Sequence, residues 1–479
     1  MNIILDELSK LSKFQEYIEK VNEKNSPITI SGLSDVGKIQ FIMTTYENTK
    51  RPICIVTYNE IQAKNIIQNL SYFTDEIDYF PKREIVPYDF IAESKDLPFE
   101  RIEILNKIKD NKAKIIVTTI EALMQKMISK KELYKNVLKL KVEDTYNLEE
   151  LKEKLISLGY ERNELVEAKS QFSIRGGIVD VAVNDKKGIR IEFWGDDVDS
   201  IREFNISSQR SEVMLDEAKI YPAHELLLED SLDIVAERIL NNDEESLKIS
   251  GKEYLNKIEE IKNQDAELIK SGDYLNKIDK YFNEFYTKQN TFLDYLQEKF
   301  IVLIDEYSKV KQRQENIIIE NNNLIKSLIE KQRIIPQAIK NISQYKYEVE
   351  DKQIIYLEKQ DLGLSKASSC KFIFNYRDVN YFKSEIELLF DDIKKNIKKK
   401  KIIVLAGNEE EANRFGALLT EKDIPNTVLT SSMKIAQKGK INEENFDDLK
   451  QVVVMRRKTF KWIRKLWLKL NSNFWGRFI

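Results

Sequence analysis

Gly32-Leu33-Ser34-Asp35-Val36-Gly37-Lys38-Ile39 lies between an apolar strand pattern and a helix pattern. In that setting backbone N–H groups cradle phosphates and a lysine reaches the terminal ones. The acidic pair Asp305-Glu306 closes the apolar run FIVLIDE (300–306), where a carboxylate would hold the metal of such a site. One part of that chemistry is missing: the residue after the lysine should offer a hydroxyl to magnesium, and Ile39 has no oxygen. Asp35 adds a negative charge inside the would-be anion nest. Gly32, Gly37, Lys38, Asp305 and Glu306 are therefore expected to be the vestige of a nucleotide site, kept for shape. A residual ATP-binding, helicase-like protein is the alternative from the enzyme class.

A second group of residues points to recognition. In SQFSIRGGIVDVAVNDKKGIRIEFWGDDVDSIREF (170–204), strand-like runs at Ile178–Val183, Ile189–Phe193 and Val198–Phe204 are separated by the turn clusters 184–188 and 195–197. They read as consecutive antiparallel strands. With a period of two, Ile189, Ile191 and Phe193 share one face, and Arg190, Glu192 and Trp194 share the other. An Arg and a Trp together on the outer face of a small sheet are the residue types that dominate protein–protein hot spots. The competing reading is a Trp covered by a neighbouring helix or loop.

Composition narrows the remaining classes. The 479 residues suffice for about three or more domains. Charged residues make up 33%, but 77 Lys plus Arg nearly cancel 80 Asp plus Glu, so bulk charge predicts no nucleic-acid affinity. Cys54 and Cys370 lie too far apart for a disulfide framework or thiolate cluster, which fits a reducing cytoplasmic setting. The one histidine, His224 in YPAHE, excludes His-pair metal sites and is expected to be structural. The N-terminus MNIILDELSKL has no long apolar core, so neither a signal peptide nor a membrane span is expected there.

The elements that must position these residues alternate in type. Strand and helix patterns at 28–45, 53–58, about 60–70 and 115–118 indicate a parallel α/β layer. Asn147 can cap the helix LEELKEKLISL, and Gly159 can close it before the strands begin. From about 214 the pattern returns to helices, then to FIVLIDE and a long charged helical stretch to about 345. A small α/β unit follows, with strands at 401–405 and 427–430 around the helix EEEANRFGALLTEK.

QFSIRGGIVDV (171–181), RIEFWGDDVDSIREFNISSQRS (190–211) and YPAHE (221–225), with FPKREIVPYD (80–89), GLSDVGK and IIVTTIEALMQK in the same order, resemble the N-terminal, UvrB-like half of the transcription-repair coupling factor (Mfd) family. The resemblance covers about 1–454 and implies a multidomain α/β protein. Its parts are a RecA/helicase-like parallel α/β domain, an inserted antiparallel β-rich UvrB-homology domain and a small C-terminal α/β domain. The boundaries it suggests are 1–126 for the helicase-like domain, 127–214 for the insert that binds the excision-repair protein UvrA, and 215–345 for the first domain resumed. A linker and small domain would occupy 346–454, and a tail 455–479. By resemblance the UvrA-contacting positions are Arg175, Arg190 and Trp194, the last commonly Phe in the family. The family's ATP, magnesium, RNA polymerase and double-stranded DNA belong to motor and polymerase-binding domains expected to be absent here. No cofactor is therefore expected, and no ATP hydrolysis by this chain alone. UvrB itself is the nearest rival, but it keeps an intact phosphate loop.

Residues 455–479 hold eight cations, no acid and three of the four tryptophans. Phe460, Ile463, Trp467, Leu470 and Phe474 follow helical spacing among Lys and Arg, as in a basic amphipathic helix on a membrane or nucleic acid. The expectation is instead an out-of-frame reading of an AT-rich message beginning near Val454. A peripheral membrane protein is the alternative that this tail suggests.

Overall fold

The computed structural model describes residues 3–83, 96–241, 252–272, 278, 280–331, 352–360, 369–376, 385–399, 402–406, 408–429, 452–456 and 477–478. Its largest sheet has seven strands, in the order Cys370–Ile373, Ile28–Ser31, Gln353–Glu358, Ile301–Asp305, Ile53–Thr57, Ile115–Thr119 and Ile77–Phe80. All are parallel. Such a sheet is covered on both faces, so its strands read as unbroken apolar runs. Alternate residues feed opposite cores. Ile53, Ile55, Ile115, Val117, Ile301 and Leu303 pack with Phe14, Tyr17 and Phe41 on one side. Cys54, Val56, Ile116, Val302 and Ile304 pack with Ile102, Leu105 and Phe292 on the other. Each fully buried side chain of this kind contributes about 1.5–3 kcal/mol.

Two strands of this sheet correct the expected organisation. The block 346–454 was to hold a linker and the small domain, yet Gln353–Glu358 and Cys370–Ile373 flank Ile28–Ser31 in register, Ile28 opposite both Ile355 and Cys370. The small unit is therefore built from later residues: the helices Ile386–Asn396 and Glu409–Glu421 with a four-stranded sheet. Its strand order is Asn426–Leu429, Val452–Arg456, Ile402–Ala406 and Arg477–Phe478. Residues 455–456 and 477–478 of the basic tail are thus strand residues, and its apolar series Phe460 to Phe474 lies outside the described residues. Among the described residues, no helix is long and apolar enough to cross a membrane.

The chain leaves the parallel layer through Leu138–Lys141 and returns through Glu217–Ile220, which pair antiparallel with Lys141 opposite Glu217. Between them lies a six-stranded sheet in the order Ser211–Leu215, Asp197–Asn205, Lys187–Trp194, Ile178–Ala182, Gln171–Arg175 and Glu161–Arg162. Arg175 ends the strand Gln171–Arg175. The helix Leu148–Ser157 covers the inner face, where Leu151 and Leu155 join Val179, Val181, Ile189, Ile191 and Phe193. Asn147 Oδ1 accepts from the N–H groups of Glu149 and Glu150 and caps that helix. Gly159, at φ +88°, ends it against the His224 ring, where a Cβ would come within 2.3 Å. His224 Nδ1 accepts from the Leu226 N–H, and burial pushes its pKa down to about 4.

One fully buried ion pair ties the insert's return to the parallel layer. Arg101, in the helix Asp96–Lys109, donates from Nε and Nη2 to the two oxygens of Glu225 at 2.9 and 3.2 Å, and from Nη1 to the Pro81 carbonyl at 2.5 Å. Its guanidinium lies 4.2 Å from the Phe80 ring centroid. Arg101→Met would leave the buried Glu225 carboxylate with only the more distant Arg83 Nε, at 3.8 Å, as a cation, at a cost of about 3 kcal/mol. Urea unfolding of the variant checks this, and a loss below about 1 kcal/mol would contradict it.

Candidate functional site

The phosphate-loop residues are brought together, and they satisfy one another. Lys38 Nζ, 3% exposed, donates to Asp305 Oδ1 at 2.6 Å and to Glu306 Oε1. Gln62 Nε2 holds the other Asp305 oxygen at 2.8 Å, and the Lys359 N–H donates to Glu306 Oε1 at 3.1 Å. Burial pulls the Lys38 pKa down, but Asp305 and Glu306 outweigh it, so the net shift is upward. Glu306 sits in the left-handed region at φ +55°, with its N–H donating to the Leu357 carbonyl.

One backbone donor of the loop and two nearby carbonyls are also engaged. Ser34 Oγ accepts from the Gly37 N–H at 3.1 Å and caps the helix Asp35–Thr49. Residues 374–376 lie over the loop: the Phe374 N–H donates to Ser31 O and the Tyr376 N–H to Gly32 O. A Cβ on Gly32, at φ +78°, would come within 1.7 Å of the Phe374 carbonyl oxygen, and one on Gly37 within 2.5 Å of the Tyr376 ring. Tyr376 Oη donates to Gln40 Oε1 at 3.0 Å. Ile39 is buried in the core behind the loop. Asp35 pairs at the surface with Lys359 Nζ at 2.7 Å.

Sequence reasoning missed Gln62, Glu358, Lys359 and Tyr376. The run QIIYLE (353–358) carried a usable signal, since it is apolar enough to be a buried strand and ends in an acid. Glu358 Oε1 accepts from the Tyr307 N–H at 2.9 Å while its Oε2 is buried without a partner. Burial, and then the nearby Glu306, push its pKa up to about 7.

The face of the inserted sheet is arranged differently. Ile189, Ile191 and Phe193 point into the core, while Arg190 and Glu192 are half-buried and Trp194 is 84% exposed. The two-residue turn after Trp194 has Gly195 at φ +66°. Arg190 donates from Nε to Asp180 Oδ1 at 2.7 Å and from Nη2 to Oδ2 at 2.9 Å, and its guanidinium lies 4.7 Å from the Phe204 ring centroid. The hydrogen bond to Asp180 raises its pKa. Arg175 Nη2 donates to Asp180 Oδ2 at 2.6 Å. One fully buried carboxylate thus gathers both arginines on the face that carries the exposed Trp. Asp180 was legible in principle, as the lone acid in the apolar strand IVDVA.

Residues 138–226 match the UvrB interaction domain. The transcription-repair-coupling factor of Staphylococcus aureus (strain bovine RF122 / ET3-1) is 25% identical over 480 residues, covering 96% of this chain and 40% of that protein. The chain is similar to the N-terminal region of the transcription-repair-coupling factors. The transcription-repair-coupling factor of Bacillus subtilis (strain 168) is 27% identical over 440 residues, covering 89% of the chain and 37% of its own length. The chain therefore spans about 40% of the length of the transcription-repair-coupling factors it matches.

Two outcomes test the loop geometry. Lys38→Met leaves Asp305 and Glu306 buried without their cation and should destabilise the fold by about 3–5 kcal/mol in urea unfolding. A lysine that served only a ligand would be lost at little cost. Glu358 is raised from 4.5 to about 7 in the folded state, so the folded protein binds the proton more tightly than the unfolded chain. Its stabilising contribution is full below pH 4.5 and is lost as pH rises through about 7. Glu358→Gln should flatten that part of the stability profile, and an unchanged profile would refute the assignment.

Proposed function

We propose that this chain is a docking module of a transcription-coupled excision-repair factor. Its partner in this reading is UvrA, and residues 138–226 are the part that binds it. The observation that carries the reading is Trp194, 84% exposed at a strand end, on the same sheet face as two arginines held by the buried Asp180. A rigid aromatic anchor flanked by arginine is hot-spot composition, and its low entropy cost on docking favours binding. The loop around Lys38 forms no working nucleotide site in this reading. An ATP–magnesium group does not fit residues whose lysine is neutralised from within, whose Gly37 faces the Tyr376 ring and whose magnesium position is the buried Ile39. RNA polymerase, duplex DNA and ATP-driven movement fall, in this reading, to parts of the related factors outside the matched stretch.

Calorimetric titration against UvrA from the same organism tests the proposal. Micromolar or tighter binding is expected, weakened in Trp194→Ala by about 2 kcal/mol, or about 30-fold. Equal affinity in the variant would overturn the assignment of this face. In the same preparation ATP with magnesium should leave the melting temperature unchanged, and a magnesium-dependent rise would favour the nucleotide-binding alternative.

A further inference from the structure

We propose that the face presented to UvrA extends across two further strands to Arg202 and Met214; this rests on the reading above. The register of the sheet carries the argument. Ser173 pairs with Asp180, Asp180 with Arg190, Arg190 with Arg202 and Arg202 with Met214, which places all five side chains in one row on the outer face. Trp194 lies on the same face, four residues along the strand from Arg190.

The row divides into an anchored end and an available end. Arg190 is committed inward: besides both oxygens of Asp180, it donates from Nη1 to the Gln209 carbonyl at 3.3 Å. Met214 lies on the edge strand Ser211–Leu215 and is 63% exposed, a large apolar side chain left in water. Arg202 donates from Nη2 to Glu192 Oε2 at 2.9 Å, but its Nε is buried without a hydrogen-bond partner. A guanidinium left under-satisfied in this way regains a bond by turning toward an anion brought from outside.

Charge selects the chemistry of the partner. The two carboxylates among these residues are turned to internal partners, Asp180 to Arg175 and Arg190, and Glu192 to Ser200 and Arg202. Arg175 and Arg202 remain 45% and 35% exposed at the side chain. The matching surface on UvrA is therefore an apolar cleft for Trp194 and a second apolar contact for Met214, with carboxylates between them facing the two arginines.

Titration of UvrA against the full chain and the variants Trp194→Ala, Met214→Asp and Arg202→Ala tests this, with a thermal melt of each. Met214→Asp and Arg202→Ala should each weaken binding by about ten-fold at unchanged melting temperature. Arg202→Ala should also reduce the dependence of affinity on salt, which a purely structural role would not do. Unchanged affinity in both, with Trp194→Ala still weakened, would overturn the extension and leave the docking face around Trp194 standing. Failure of the folded wild-type chain to bind UvrA would overturn the docking reading and this extension together.

Discussion

The buried contact between Lys38 and the pair Asp305-Glu306 constrains much of the parallel layer. It joins residues 267 and 268 positions apart, and the strand Gln353–Glu358 lies between Ile28–Ser31, which leads into the loop, and Ile301–Asp305. Carboxylates with so little exposure are tolerable only when paired and hydrogen-bonded. The chain between the strands Ile115–Thr119 and Ile301–Asp305 must therefore leave the layer and return without disturbing the register of the latter. The inserted domain does so through the short antiparallel ladder of Leu138–Lys141 with Glu217–Ile220, and Arg101 with Glu225 secures the return.

The same contact changes what the loop is for. Gly32 and Gly37, whose type and spacing suggest room for a phosphate, instead make room for the chain at 374–376. Ser34 takes the Gly37 N–H, and the acids that would hold a metal take the lysine. The loop fastens the helix Asp35–Thr49 to the strand ends beside it.

The inserted sheet uses a buried carboxylate to the opposite effect. Asp180 lies on the outer face and holds two arginines there, on the face whose aromatic Trp194 stays in solvent. A tightly satisfied polar group below and an unsatisfied apolar group above are what separate this face from an ordinary solvated sheet surface.

The sequence alone determined the features that depend on local periodicity and local backbone chemistry. Strands such as Ile53–Thr57 and Ile301–Asp305, the helix Leu148–Ser157 with its Asn147 cap, and the face shared by Arg190 and Trp194 follow from residues adjacent in the chain. The strands Gln353–Glu358 and Cys370–Ile373 were not legible as part of the first sheet. Their partner Ile28–Ser31 lies more than 300 residues earlier. Only the tertiary structure decided that Tyr376 would lie over Gly37, that Glu358 would face Glu306 and that Trp194 would stay uncovered. Each depends on which distant segments meet, and that is set by burial and pairing over the whole sheet, which no window of neighbouring residues contains.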